Sequence, residues 1–252
     1  MEYFKEDIKR AITSKTMILA LILGLVLSLY PVFYQYSKWG SNQNYFYYFL
    51  TGYGYTPIGS FSLLLPCIAA MPYAYSVATD YNSGVQKYIF YRMNKKEYVI
   101  ARILSNFIVS GGFVLVIQLI NLTLSFILGN HNGAVIISRN EGFIGIDQGS
   151  IMMANIVVLI NSFLFAGTYS TIGLGAAALV RNKYVSIIIP LIIYIGGSHI
   201  ANIFNNYSAS TTAMHSILDR SNNFKVLALY YIVFNIIGVL ISYYSVCRKE
   251  DV

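Results

Sequence analysis

The sequence predicts an all-α membrane protein. Six transmembrane helices form a single domain over residues 1–252, with an amphipathic helix before the first span and a short one between spans two and three. Three observations carry this. The chain is 56% hydrophobic and only 11% charged, with mean hydropathy +0.58, whereas a soluble domain carries roughly 25% charged residues. Six apolar runs are long enough to cross a ~30 Å hydrocarbon core. The cations, finally, alternate in density from one connection to the next.

The first fifteen residues, MEYFKEDIKRAITSK, place Phe4, Ile8, Ala11 and Ile12 on one helical face, with Glu6 set to pair with Lys9 and Arg10. That pattern fits a helix lying along the inner membrane surface. The apolar run that follows continues too far, and lacks the small-residue site, for a cleaved signal.

The spans are placed at 16–34, 58–79, 103–128, 151–180, 185–204 and 226–246. Helix is the expected form, because an isolated strand leaves its backbone polar groups unpaired in lipid. Of the 17 Lys and Arg, thirteen fall in alternate connections: Lys5, Lys9, Arg10 and Lys15; Lys87, Arg92, Lys95, Lys96 and Arg102; Arg181 and Lys183; Arg248 and Lys249. The insertion bias puts these on the cytoplasmic side, together with both termini. Lys38, Arg139, Arg220 and Lys225 fall outside. The net charge of +7 is therefore a topology signal. It forms no continuous basic face, and a nucleic-acid partner is excluded.

On the outer side, SKWGSNQNYFYYFLTGYGYTP is dense in Trp, Tyr and Phe. A headgroup-level aromatic belt explains it, with a vestibule for an amphipathic substrate as the sharper alternative. The connections 129–150 and 205–224 read as polar, Asn-rich loops.

Little catalytic or ligand chemistry is present. No Asp, Glu, Lys or Arg lies in the centre of a span, which disfavours a proton-coupled carrier. His131, His199 and His215 lack partners at metal-ligand spacing, and Cys67 and Cys247 form neither a disulfide framework nor a metal site. There is no G-x-x-x-x-G-K-[ST] phosphate loop, so no cofactor is expected in this chain and uphill work needs a partner's energy. The polar groups inside the spans are neutral. Gln118, Asn121 and Ser125 share one face of the third span; the fourth carries Asn155 and Ser162, then the small residues Ala166, Ser170, Gly173 and Ala177. They serve as interhelical glue, or, for Gln118, Asn121 and Asn155, as the lining of a translocation path. Pro66, Pro72 and Pro190 mark kinks in the second and fifth spans.

The connection DYNSGVQKYIFYRMNKKEYVIAR holds more than topology requires. Ser83 and Gln86 have the S-x-x-Q form of a capping box. Val85, Tyr88, Ile89 and Met93 then make one apolar stripe, with Lys87 and Tyr91 on another face. A capped helix with a sticky face suits docking on a cytoplasmic protein.

This order of parts resembles the membrane subunit of bacterial ATP-binding-cassette (ABC) transporters of the type-2 exporter permease family. Asp80 stands where that family has an acidic residue. Gly84 matches its glycine, Val85 to Tyr91 its short helix, Lys95, Lys96 and Tyr98 its basic re-entry, and Arg102 its usual Lys. Met93 and Asn94 depart from the proline common at the turn, while GLGAAALVRNKYVSIIIP resembles its tight turn between spans four and five. The resemblance implies a multi-pass permease of the bacterial cell membrane, not itself an enzyme. Its coupling helix would present Asp80, Gly84, Val85, Lys87, Tyr88, Ile89, Tyr91 and Arg92 to a cytoplasmic ATPase subunit holding ATP and magnesium. A second copy or a sister permease would complete the transporter, and an amphipathic or hydrophobic molecule, such as an antimicrobial peptide or drug, would be its substrate. The alternatives are a self-sufficient carrier or channel, and a non-transporting immunity or assembly protein.

Overall fold

The computed structural model describes residues 2–54, 61–132, 135–139, 142–146, 150–203 and 224–247. The expected outer loop 205–223 with Arg220 and His215, and Arg248 and Lys249, lie outside them.

Ten α-helices, a short 3-10 turn at Gly40–Asn42 and one hairpin are found among the described residues. They are α1 (Glu2–Ile12), α2 (Lys15–Trp39), α3 (Tyr45–Tyr53), α4 (Phe61–Ala70), α5 (Ser76–Asn82), α6 (Val85–Phe90), α7 (Lys95–Leu128), β1 (Val135–Arg139), β2 (Gly142–Ile146), α8 (Ile151–Val180), α9 (Val185–Ile203) and α10 (Phe224–Cys247). Four stretches are long and apolar enough to cross a membrane: Lys15–Asn42, Lys95–Leu128, Ile151–Val180 and Leu227–Cys247. They carry the expected first, third, fourth and sixth spans. The expected fifth span corresponds to α9, shorter and broken in composition by Pro190.

The segment expected to be the second span is not one helix. Pro66 sits inside α4, which ends at Ala70; the turn around Pro72 intervenes, and α5 starts at Ser76. Proline removes a backbone donor and clashes with the preceding turn, which accounts for the break.

α8 is the axis of the bundle. It is apolar on all sides and packs against α7, α10, α9, α4 and α5. A helix that is apolar all round must be surrounded, and twenty of its thirty residues are buried. Its small residues permit close approach, as expected of glue. A Cβ on Gly173 would lie 2.4 Å from the Ser186 carbonyl oxygen, and Ser170 meets Ser110 of α7 Oγ to Oγ at 2.7 Å. α2 and α10 are peripheral. Each buries a narrow stripe, such as Ala20, Gly24, Ser28, Pro31, Val32 and Gln35 in α2, and leaves its other faces open.

Two of the connections expected on the outer side carry secondary structure that the sequence reading did not place. The aromatic stretch after Trp39 is mostly a buried helix, so a headgroup-level belt does not describe Phe46, Tyr48, Phe49 and Tyr53. Phe46, Phe49, Leu50 and Tyr53, at i, i+3, i+4 and i+7, form a core with Ile151, Ala154 and Val158 of α8. The side-chain amide oxygen of Asn44 caps α3, accepting from the Phe46 amide at 2.9 Å. Trp39 is half exposed at the end of α2. In the second connection, read as a loop, β1 and β2 pair antiparallel with Val135 opposite Ile146 and Arg139 opposite Gly142. The alternation in VIISR and GFIGI is too short to stand out in a sequence dominated by apolar runs.

α7 is 34 residues long, about 51 Å at 1.5 Å per residue. It starts eight residues before the predicted span, at Lys95. The bundle thus has a hairpin end and a charged end. The charged end gathers α1, α5, α6, the start of α7 and the α8–α9 turn.

Candidate functional site

At the charged end the chain makes an elbow. α5 ends at Asn82, Ser83 follows, and Gly84 takes φ +73°, a left-handed conformation that glycine adopts without strain. α6 then starts with Gly84 as its N-cap and no side-chain cap. The expected Ser83–Gln86 capping box does not form. Ser83 Oγ instead donates back to the Asp80 carbonyl at 3.3 Å, and Gln86 turns inward and is buried. The αL turn at Gly84 redirects the chain, so Ser83 belongs to the end of α5 rather than the start of α6.

The predicted stripe of α6 splits. Ile89 and Met93, with Phe90 between them, pack on a core of Ala70, Ala74, Val77, Tyr98, Val99, Ile103, Leu174, Ala178 and Val246, alongside Tyr3 of α1. Phe90 meets the Tyr98 ring edge-on at 5.5 Å. The other face points outward: Val85 is 41% exposed, Tyr88 74% and Tyr91 88%. Lys87 and Arg92 are exposed beside them. Between α1 and α6 an open groove of about 970 Å³ is lined by Tyr3, Glu6, Tyr88, Ile89, Arg92, Met93 and Glu97.

Beneath the elbow lies a cluster of four charges. Asp80 is fully buried. Its Oδ1 lies 2.8 Å from the guanidinium of Arg10, and its Oδ2 accepts from Arg102 and from Tyr98 Oη, the latter at 3.0 Å. Arg102 is also fully buried and offers its second nitrogen to Asp7 Oδ1, which accepts from Tyr73 Oη at 2.5 Å. One arginine fork therefore bridges two carboxylates from different helices, each held by its own nitrogen of the planar guanidinium. The rings of Tyr3, Tyr73 and Tyr98 surround the Arg102 guanidinium at 5.8, 5.3 and 5.3 Å.

Burial pushes the Asp7 carboxyl above the ordinary carboxylate range, against the opposing pull of Arg102 and Tyr73. It likewise pushes the Tyr3 hydroxyl up to about 12. Burial acts to lower the Arg10 guanidinium, but its hydrogen bond to Asp80 and that carboxylate's charge outweigh it, and the net direction is upward.

Sequence reasoning missed the α1 half of this cluster. It paired Glu6 with Lys9 and Arg10, whereas Arg10 reaches Asp80. It also read Phe4, Ile8, Ala11 and Ile12 as the apolar face of a helix lying along the membrane surface; in the fold Ala11 is buried, Phe4 and Ile8 are half-buried, Ile12 is 54% exposed, and Asp7 is buried against the bundle. The spacing Tyr3, Asp7, Ala11 was the available signal, hidden because one acid on an inward stripe looks like an error until its partner is known.

A second tie holds the elbow. The Arg181 guanidinium covers the Tyr81 ring at 3.7 Å, and Asn82 Nδ2 donates to the Arg181 carbonyl at 3.1 Å. This joins α5 to the turn after α8.

The neutral amides in the spans gather in the other half of the bundle. Gln118 Oε1 accepts from Asn121 Nδ2 at 3.1 Å, and that nitrogen also reaches the Phe49 carbonyl at 3.0 Å. Asn155 Nδ2 donates to Tyr45 Oη at 3.2 Å. All three side chains are buried and engaged with α3 or its neighbours. A further set not singled out from sequence pins α10. Tyr231 Oη donates to Asn161 Oδ1 at 2.5 Å, and Asn235 Nδ2 to Thr168 Oγ1 at 2.8 Å. Among the described residues no three His, Cys, Asp or Glu gather as metal ligands. A scan against protein-family models finds no match to this chain, and a search of curated proteins finds none either.

Proposed function

We propose that the chain is the membrane-spanning permease subunit of an ATP-driven ABC exporter. In this reading it has six spans, with the α4–α5 segment as the second and α9 as the fifth. The charged end is cytoplasmic, and α6 is the coupling helix that seats on a separate ATPase subunit. That subunit holds ATP and magnesium and does the hydrolysis, so this chain is not the enzyme. A second copy or a sister permease completes the path for an amphipathic or hydrophobic molecule.

The observation that carries the proposal is the split of α6. A helix of six residues that served only to close a loop would turn its large side chains inward. Here the inward face is already filled by Ile89, Phe90 and Met93, yet Val85, Tyr88 and Tyr91 stand in the open between cations. Aromatic side chains of this kind act as anchors when a partner desolvates them. The concentration of cations at this end supports its cytoplasmic placement.

The test is affinity purification of the tagged chain from native membranes. An ABC ATPase subunit is expected to co-purify, and to be lost from the Tyr88→Asp/Tyr91→Asp variant while membrane insertion stays normal. These two positions are better probes than Ile89, whose packing role would confuse the result. A chain that purifies without an ATPase, or a variant that retains it, overturns the reading in favour of a self-sufficient carrier or an immunity protein.

A further inference from the structure

We propose that α1 and the α5–α6 elbow form one rigid unit, in which Asp80 is the positioning residue that ties α6 to both α1 and α7. This goes beyond the role of α6 as a docking surface and holds whatever protein docks there.

The elbow at Gly84 is not held by its own packing. A Cβ built there would meet nothing within 4 Å, and glycine leaves the backbone free to rotate. The angle between α5 and α6 must therefore be fixed by contacts on either side. One turn before the glycine, each oxygen of Asp80 faces a different helix: Oδ1 meets Arg10 of α1 and Oδ2 meets Arg102 of α7. One turn after it, Ile89 and Phe90 pack with Tyr3 of α1 and Tyr98 of α7. The same two helices thus grip the elbow from both ends.

The charges balance within this unit. Asp7 and Asp80 carry two negative charges, and Arg10 and Arg102 two positive. Removing one partner from a buried pair leaves an uncompensated charge, so the set holds or fails together. The contacts are graded as well. The Arg102 side chain is 1% exposed, whereas that of Arg10 is 48% exposed. Arg102 is the permanent hub, and the Arg10–Asp80 contact is the outer link to α1. A displacement of α6 then passes to α1 and α7 together rather than being absorbed at Gly84.

Hydrogen exchange of the full-length protein in lipid nanodiscs tests this, with amides of α1, α6 and α10 followed separately. Asp80→Asn preserves side-chain volume and removes the shared charge. It should raise exchange about tenfold in both α1 and α6 and leave α10 unchanged. Arg10→Gln should raise exchange in α1 and also in α6, which Arg10 does not touch. The double variant should match Asp80→Asn alone, because Asp80→Asn already removes the contact that Arg10→Gln breaks. Unchanged α1 exchange in Asp80→Asn, or additive effects in the double variant, overturns the proposal. Should Asp80→Asn fail to fold, Arg10→Gln decides by itself: an α6 that keeps its protection overturns it.

Discussion

At the scale of single residues, Asp7 is the side chain whose environment most conflicts with its composition. It is a carboxylate 3% exposed on the inner face of a surface helix, held by Tyr73 and Arg102. Its folded-state pKa lies above its unfolded value of about 3.9. Between those two values the folded protein binds more protons than the unfolded chain, so stability from this group is full below about 3.9 and falls as pH rises through the folded value. Asp7→Asn cannot titrate and keeps the shape. The thermal midpoint of Asp7→Asn minus that of the parent should therefore rise as pH increases through this acidic window. Unfolding in detergent at stepped pH measures it, and a flat difference would show that Arg102 fully offsets burial.

At the scale of elements, α3 shows how close approach turns an aromatic segment into core. Gly52 lies against α2 and α7. A Cβ there would come 2.4 Å from Asn121 Oδ1 and 2.7 Å from the Ser28 carbonyl oxygen. Ser28 Oγ also donates to the Gly52 carbonyl at 3.1 Å. The asparagine can rotate, but the α2 backbone cannot move without the whole helix. Gly52→Ala should thus cost about 1–3 kcal/mol through overpacking, read as a lowered thermal midpoint. Gly112, with open space around its missing Cβ, is the matched control and should tolerate alanine. The contrast with α6 is instructive. Both elements are short and rich in aromatics, yet neighbours cover α3 on every side, while α6 has a floor and no roof.

At the scale of the whole molecule, the two ends of the bundle make opposite predictions for chemical access. With Cys67 and Cys247 replaced by alanine, Lys38→Cys at the end of α2 should react with a membrane-impermeant maleimide in intact cells. Lys87→Cys on α6 should react only after permeabilisation. Both native side chains are exposed, so reactivity reports sidedness rather than burial. Equal labelling of both would contradict the cytoplasmic placement of the charged end.

The sequence by itself determined the chain's solvent and most of its long helices. Hydropathy and the scarcity of charge are bulk properties, summed over twenty or more residues, and no tertiary contact reverses such a sum. Hence α8 matches its predicted bounds and α9 and α10 lie within two residues of theirs. The sequence also located α6, because Gly84 and the apolar spacing after it set it apart from its surroundings, although the expected capping box does not form. Tertiary structure alone decided the rest. Which face of α6 would be covered depended on Tyr3 and Tyr98, which lie on two other helices. That Asp7, Arg10, Asp80 and Arg102 form one cluster followed from α1 folding back beside α7, a contact invisible to any local period. Asn121 and Asn155, read from the sequence as interhelical glue or as the lining of a path, bond to Phe49 and Tyr45 of α3, 72 and 110 residues earlier in the chain. Burial of a polar group is a property of the assembled neighbours, and a sequence read one segment at a time does not contain it.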